Sequence, residues 1–236
     1  MAAGQSSVPM ESGIADPPSA KGQLAELIRS CLNLNYISKS CQNEIETGNH
    51  YQSVRLGDVK TSGFRTDRSE FLDKINFNST RVLDLGSNLG EMSRTVRDRG
   101  ADIVDGFEYD HFFIEIAQLL NAYNSTTRVS FFQRDITNEA SYGGQYDIVM
   151  AFAVWTYVGP KLGLIAQMTD VLLLETHNLH GNLQRDYVDR LDQYFPSHTY
   201  LGDSDWGRTH GPSGGRAVLL CAKNDAALEQ AMHSGA

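Results

Sequence analysis

Two kinds of apolar pattern alternate along this chain. Near-continuous apolar runs come first at Val82, Leu83 and Leu85, then over residues 103–108, 146–152 and 171–176, and a further strand reads over 129–136. Runs of that length, rich in Val, Ile, Leu and Phe, predict strands covered on both faces. Between them apolar residues recur at helical spacing. Met92 and Val96 open one such stretch, and Phe113, Ile116, Ala117 and Leu120 share a side of the next, over 112–122. Further helices are predicted over 161–169 and 183–194, and short strands over 197–202 and 216–223. Strand and helix in alternation describe βαβ units and a parallel sheet, so the fold class is α/β.

The same pattern sets the organisation. Residues 1–21 are rich in Ala, Gly, Ser and Pro without periodicity, and read as a disordered leader. A helix is predicted from about Gly22, with Leu24, Leu27 and Ile28 at its apolar positions. It can cover a pocket, pack on the sheet or meet a second subunit in a homodimer; packing on the sheet is the first expectation. A short helix follows over 69–75, with Phe71, Leu72 and Ile75 inward. One domain is expected over 22–223, with 224–236 as a tail that is either a short helix or frayed.

The first strand breaks into a turn at Gly86-Ser87-Asn88-Leu89-Gly90 before a helix opens at Glu91. Glycines there let a backbone pass close to a ligand. A phosphate-binding P-loop would place Lys and Ser or Thr after its last glycine; Glu91 and Met92 stand there instead. A dinucleotide site would need glycines where Asn88 and Glu91 lie, and an acid at a helix N-terminus opposes a pyrophosphate. Twenty-two residues after Gly86, Glu108 ends the second strand, where a carboxylate accepts hydrogen bonds from ribose hydroxyls. A ligand with adenosine but no phosphate fits, and the cationic methionine end of S-adenosylmethionine tolerates Asp84 and Glu91 nearby. Asp135, ending the third strand, is placed to meet an adenine amino group.

These motifs, an hhDLGxxxG turn at residues 82–90, an acid at Glu108, Asp135 and the Tyr146-Asp147-Ile148-Val149 fourth strand, resemble those of class I S-adenosylmethionine-dependent methyltransferases. The resemblance runs from about Tyr51 to Lys223. It implies a Rossmann-like, seven-stranded, mostly parallel sheet with an antiparallel last strand and helices on both faces. It implies S-adenosylmethionine as cofactor, with contacts from Arg65, Asp84, Gly86, Ser87, Asn88, Gly90, Glu108, Tyr109, Asp135, Ile136 and Phe152. The lead-in at residues 51–56 and 63–68 is similar to a subgroup acting on wobble uridine, surface glycans or natural products. Ser87-Asn88 departs from the Cys or Ala then Gly of many members, and Asn tolerates positive φ.

Methyl transfer needs an acceptor aligned behind the methyl carbon and, for a protonated acceptor, a base. In open α/β sheets these groups follow the carboxyl ends of strands four and five. His177 is the first candidate base and His180 the second, each with the alternative of shaping a loop. Glu175 either orients His177 or sits in a buried polar pair. Tyr51, Trp155, Tyr157, Trp206 and His210 are candidate walls of the substrate pocket, Trp155 and Tyr157 being equally suited to packing. Arg65 matches the donor carboxylate bidentately, or else pairs with a surface acid. The end of strand four, Met150-Ala151-Phe152, offers no oxygen ligands, so no metal is expected.

Net charge then narrows the acceptor. At −9 the chain disfavours a polyanion, although Arg55, Lys60, Arg65 and Arg68 form a local basic cluster. Three scattered cysteines suit reduced thiols in the cytoplasm, and no apolar run reaches membrane-spanning length. The expectation is a methyltransferase acting on oxygen of a small molecule or glycan. The alternatives are an RNA modifier and a non-catalytic binding module.

Overall fold

The structure is a computed structural model, and it describes residues 19–35, 50–56, 59–60, 63–65, 68–176, 183–204 and 216–232. Helix α1 (Ala20–Asn35) leads into four short strands, β1 (His50–Gln52), β2 (Arg55–Leu56), β3 (Val59–Lys60) and β4 (Gly63–Arg65). β1 pairs with β4 and β2 with β3, outside the main sheet. Helix α2 (Arg68–Leu72) follows. Then come β5 (Arg81–Leu85), α3 (Glu91–Asp98), β6 (Ile103–Glu108), α4 (His111–Asn124), β7 (Val129–Gln133) and β8 (Ile148–Ala151). The chain closes with α5 (Trp155–Val158), α6 (Leu162–Met168), β9 (Val171–Glu175), α7 (Leu183–Tyr194), β10 (Ser197–Ser204), β11 (Arg216–Ala222) and α8 (Asp225–Ala231).

Seven strands form one sheet in the order β10-β11-β9-β8-β5-β6-β7. All neighbours run parallel except β11, which is antiparallel to both β9 and β10. Side chains alternate across each strand, so one strand feeds two cores. Val82 joins Val96, Val104, Ile148 and Leu173 on one face. Leu83 and Leu85 join Val149, Leu172, Leu174, Ile165 and Phe195 on the other. Burial on both faces is the physical reason that these strands read as unbroken apolar runs.

One expectation changes here. Helix α1 does not pack on the sheet. Its Ile28 is buried with Ile116 and Leu120 of α4, with Val54 and Leu56, and with Leu89 of the turn before α3. The reason is that α4 has two apolar stripes: Ile114 and Ala117 face the sheet, and Ile116 and Leu120 face outward to α1. The tail takes the helical of its two readings and forms α8, whose Ala231 is buried against the sheet and accepts a hydrogen bond from the Asn76 amide at 2.8 Å.

β5 lies between β6 and β8, and the order of connection reverses across it. The crevice beyond the carboxyl ends of the strands at such a switch point is where open α/β sheets bind ligands.

Candidate active site

The turn after β5 is built from three residues at positive φ: Gly86 at 76°, Asn88 at 51° and Gly90 at 76°. At Gly90 sterics leave no choice, since a Cβ there would come within 2.2 Å of the Phe131 ring. A Cβ on Gly86 would meet Val154 at 2.6 Å. The amides of Gly86 and Ser87 donate to the Phe107 carbonyl at 2.9 and 3.0 Å, tying the turn to β6.

Glu108 ends β6 and gathers the turn around it. One carboxylate oxygen accepts from the Asn88 amide at 2.8 Å, and the other from the amides of Tyr109 at 2.8 Å and Asp110 at 3.0 Å. Burial raises its pKa, and the three amides counter that rise. With about four lone-pair positions and three amide partners, the carboxylate keeps acceptor capacity for a ligand hydroxyl.

Around it lies a cleft of about 490 Å³, lined by Gly86, Asn88, Phe107, Glu108, Tyr109, Asp135, Ile136, Thr137, Phe152, Ala153, Val154 and Tyr157. Asp135 accepts from the Thr137 amide at 2.9 Å and hydroxyl at 2.7 Å, which hold its pKa below the usual carboxylate value. β8 leaves the sheet through Ala153 at φ 58°, and Phe152 comes to the wall. The charged side chains in this lining are carboxylates; among the described residues no Lys or Arg lines it. Among the described residues a pyrophosphate therefore finds no cationic side chain here, whereas a nucleoside with hydroxyl donors and a cationic tail finds carboxylates.

Of the expected cofactor contacts, Gly86, Asn88, Glu108, Tyr109, Asp135, Ile136 and Phe152 come together in the cleft. Asp84, Ser87 and Gly90 stand behind it. Asp84 is buried and accepts from the Ser93 hydroxyl at 2.6 Å; burial pushes its pKa up to about 6, against that bond and the charge of Arg68. Ser87 is buried with its Oγ toward Gly106. Glu91 is likewise turned inward, onto Arg94 at 3.3 Å, and does not line the cleft.

Trp155 requires a correction. It is 6% exposed and packs in the core with Leu162, Ile165 and Leu172, its ring against Gly159, so it does not wall a substrate pocket. The cause is the sharp exit of β8, which starts α5 with Trp155 pointing down onto the sheet. Tyr157, two residues on, is 52% exposed and lines the cleft. The strands carrying Tyr51 and Arg65 are in place, Gln52 opposite Arg65, but those two side chains lie outside the described residues. His177, His180, Trp206 and His210 lie outside them too.

Glu175, left open by the sequence, pairs with Arg68 at 2.5 Å and accepts from the Ser204 hydroxyl at 2.5 Å, all three buried. The Arg68 guanidinium also sits 5.4 Å from the Phe152 ring centre. The sequence placed Arg68 in a local basic cluster. The missed signal was its spacing of three and four from Phe71 and Leu72, which puts it on the buried stripe of α2. Phe107, Thr137, Ala153 and Val154 were also not foreseen as lining.

Sheet order, turn and acid together define an S-adenosylmethionine-type transferase of the Rossmann-like class. Residues 61–210 match the model of the methyltransferase domain family, and the chain belongs to that family. Its cofactor is S-adenosylmethionine. The fold is similar to that of the bifunctional kinase-methyltransferase WbdD, at 16% identity and a TM-score of 0.55, over 69% of this chain and 41% of that one. This chain thus spans about two fifths of WbdD. It is also similar to ribosomal protein L11 methylase from Lactobacillus delbrueckii subsp. bulgaricus, at 12% identity and a TM-score of 0.53, over 66% and 76% of the two chains. No curated protein matches by sequence.

Proposed function

We propose that this methyltransferase acts on a small molecule or glycan, on oxygen. The observation that carries this reading is the cleft itself, whose charged lining residues are Glu108 and Asp135. With a net charge of −9 around it, an RNA backbone finds little attraction. Bound there, S-adenosylmethionine supplies a methyl group that an acceptor displaces from sulfur in line. Glu108 holds the ribose hydroxyls, Asp135 and Ile136 meet the adenine, Phe152 walls the sulfur end and Arg65 pairs with the donor carboxylate. His177, with His180 behind it, takes the proton released by an acceptor hydroxyl. Residues 22–223 together with α8 make one domain. A buried free thiol at Cys221, its pKa pushed to about 12 by burial, suits a reducing cytoplasm, and no described helix is long and apolar enough to cross a membrane. Self-association through α1 would use Leu27, 49% exposed.

Titration of the full chain with S-adenosylmethionine, S-adenosylhomocysteine and NAD tests the donor; binding of NAD alone would remove the reading. Labelled methyl followed into a fractionated extract tests the acceptor. Label is expected among small molecules or glycans, and label confined to RNA would overturn the substrate assignment.

A further inference from the structure

A turn with three residues at positive φ holds its shape when its surroundings over-determine it. On the amide side the ties to Phe107, Glu108 and Ser87 do this. On the carbonyl side a buried cation does: the Arg94 guanidinium, one turn into α3, donates to the Leu89 carbonyl at 2.8 Å. Arg94 is 0% exposed. It also reaches Glu91 at 3.3 Å and, more loosely, Asn121 at 3.5 Å, and Asn121 is itself bonded to the Val129 carbonyl at 3.0 Å. A Cβ on Gly90 would stand 3.1 Å from an Arg94 nitrogen, so guanidinium and turn are packed together. Among the described residues the Nε of Arg94 has no partner. A buried ion pair is weak support for a fold, since apolar side chains of the same volume are often as stabilising. Stability is thus a poor reason for Arg94 to be there, and the carbonyl it holds belongs to the donor turn.

We propose that Arg94 is a positioning residue for methyl-donor binding: by gripping the Leu89 carbonyl it sets the turn that presents Asn88 to the cleft and its amide to Glu108. Arg94 does not line the cleft and acts through that backbone. The inference rests on the donor site proposed above.

The test is S-adenosylhomocysteine affinity, measured by calorimetry on the full chain, beside the unfolding temperature. Arg94→Lys keeps the charge but loses the planar fork, and is expected to weaken binding about tenfold, the loss of one charge-assisted hydrogen bond. Glu91→Gln keeps the Leu89 contact and is expected to bind within about twofold of the wild type, an effect well below one hydrogen bond. Amide exchange at Asn88 and Gly90 should quicken in Arg94→Lys and not in Glu91→Gln. Equal losses in the two variants, or unchanged affinity in Arg94→Lys, would overturn the proposal. Should Arg94→Lys not fold, the wild type still decides. The buried Arg94 guanidinium resonances should shift when S-adenosylhomocysteine is added, and fixed resonances would overturn it. Wild-type protein that binds no S-adenosylhomocysteine would instead overturn the donor-site reading beneath.

Discussion

Glu108 faces three amide donors and a ligand space at once, so it has room for acceptor oxygens alone. Glutamine would set an NH₂ against at least one of those amides. Glu108→Ala removes the anchor for the Asn88 amide as well as the acceptor for ribose. Donor affinity is expected to fall by about 1.5–3 kcal/mol, or roughly 10- to 150-fold in Kd; an unchanged Kd by calorimetry would place the ribose elsewhere. Asp84 makes the opposite kind of statement. The folded protein holds its proton more tightly than the unfolded chain, with a pKa of about 6 against 3.8. Burying its charged form costs stability, and that cost is absent below pH 3.8 and complete above about pH 6. Stability from this group therefore falls as pH rises through that window. Asp84→Asn, which still accepts from Ser93, should flatten the slope of unfolding free energy between those pH values. A variant with the wild-type slope would show that other groups carry it.

At the scale of elements, connections decide which aromatic residue serves the site. The exit of β8 through Ala153 sends Trp155 into the core and leaves Tyr157 at the cleft, although both sit in one short helix. Trp155→Ala should cost about 3–5 kcal/mol of stability in denaturant unfolding, the usual loss for a buried large aromatic, with donor affinity little changed. Retained stability with lost turnover would return Trp155 to the site. Helix α1 shows the same principle from the other side. It closes over α4 and Leu89, and so backs the donor turn without touching the sheet. The pair Arg68–Glu175 ties α2 to the end of β9, just before the segment that carries the proposed base.

For the whole molecule, the strands of the sheet and the donor turn were legible from residue order. β5, β8 and β9 are covered on both faces, so their composition alone reveals them, and Gly86 and Gly90 sit at the separation that the backbone of the turn imposes. Helix α7 was read at its full extent, Leu183–Tyr194. What escaped were contacts between segments far apart in the chain. Arg68 to Glu175 spans 107 residues, and the pairing of α1 with α4 joins the first described helix to a stripe that faces away from the seven-stranded sheet. Local physics, the period of apolar residues and the φ that glycine permits, is written into neighbouring positions, and from it the chain determined its fold class and the turn and acid that meet after its first two parallel strands. Which charges are buried, which aromatic faces the cleft and what clamps the turn were decided by packing. Packing depends on the few elements that happen to meet in space, and no short window of sequence contains them.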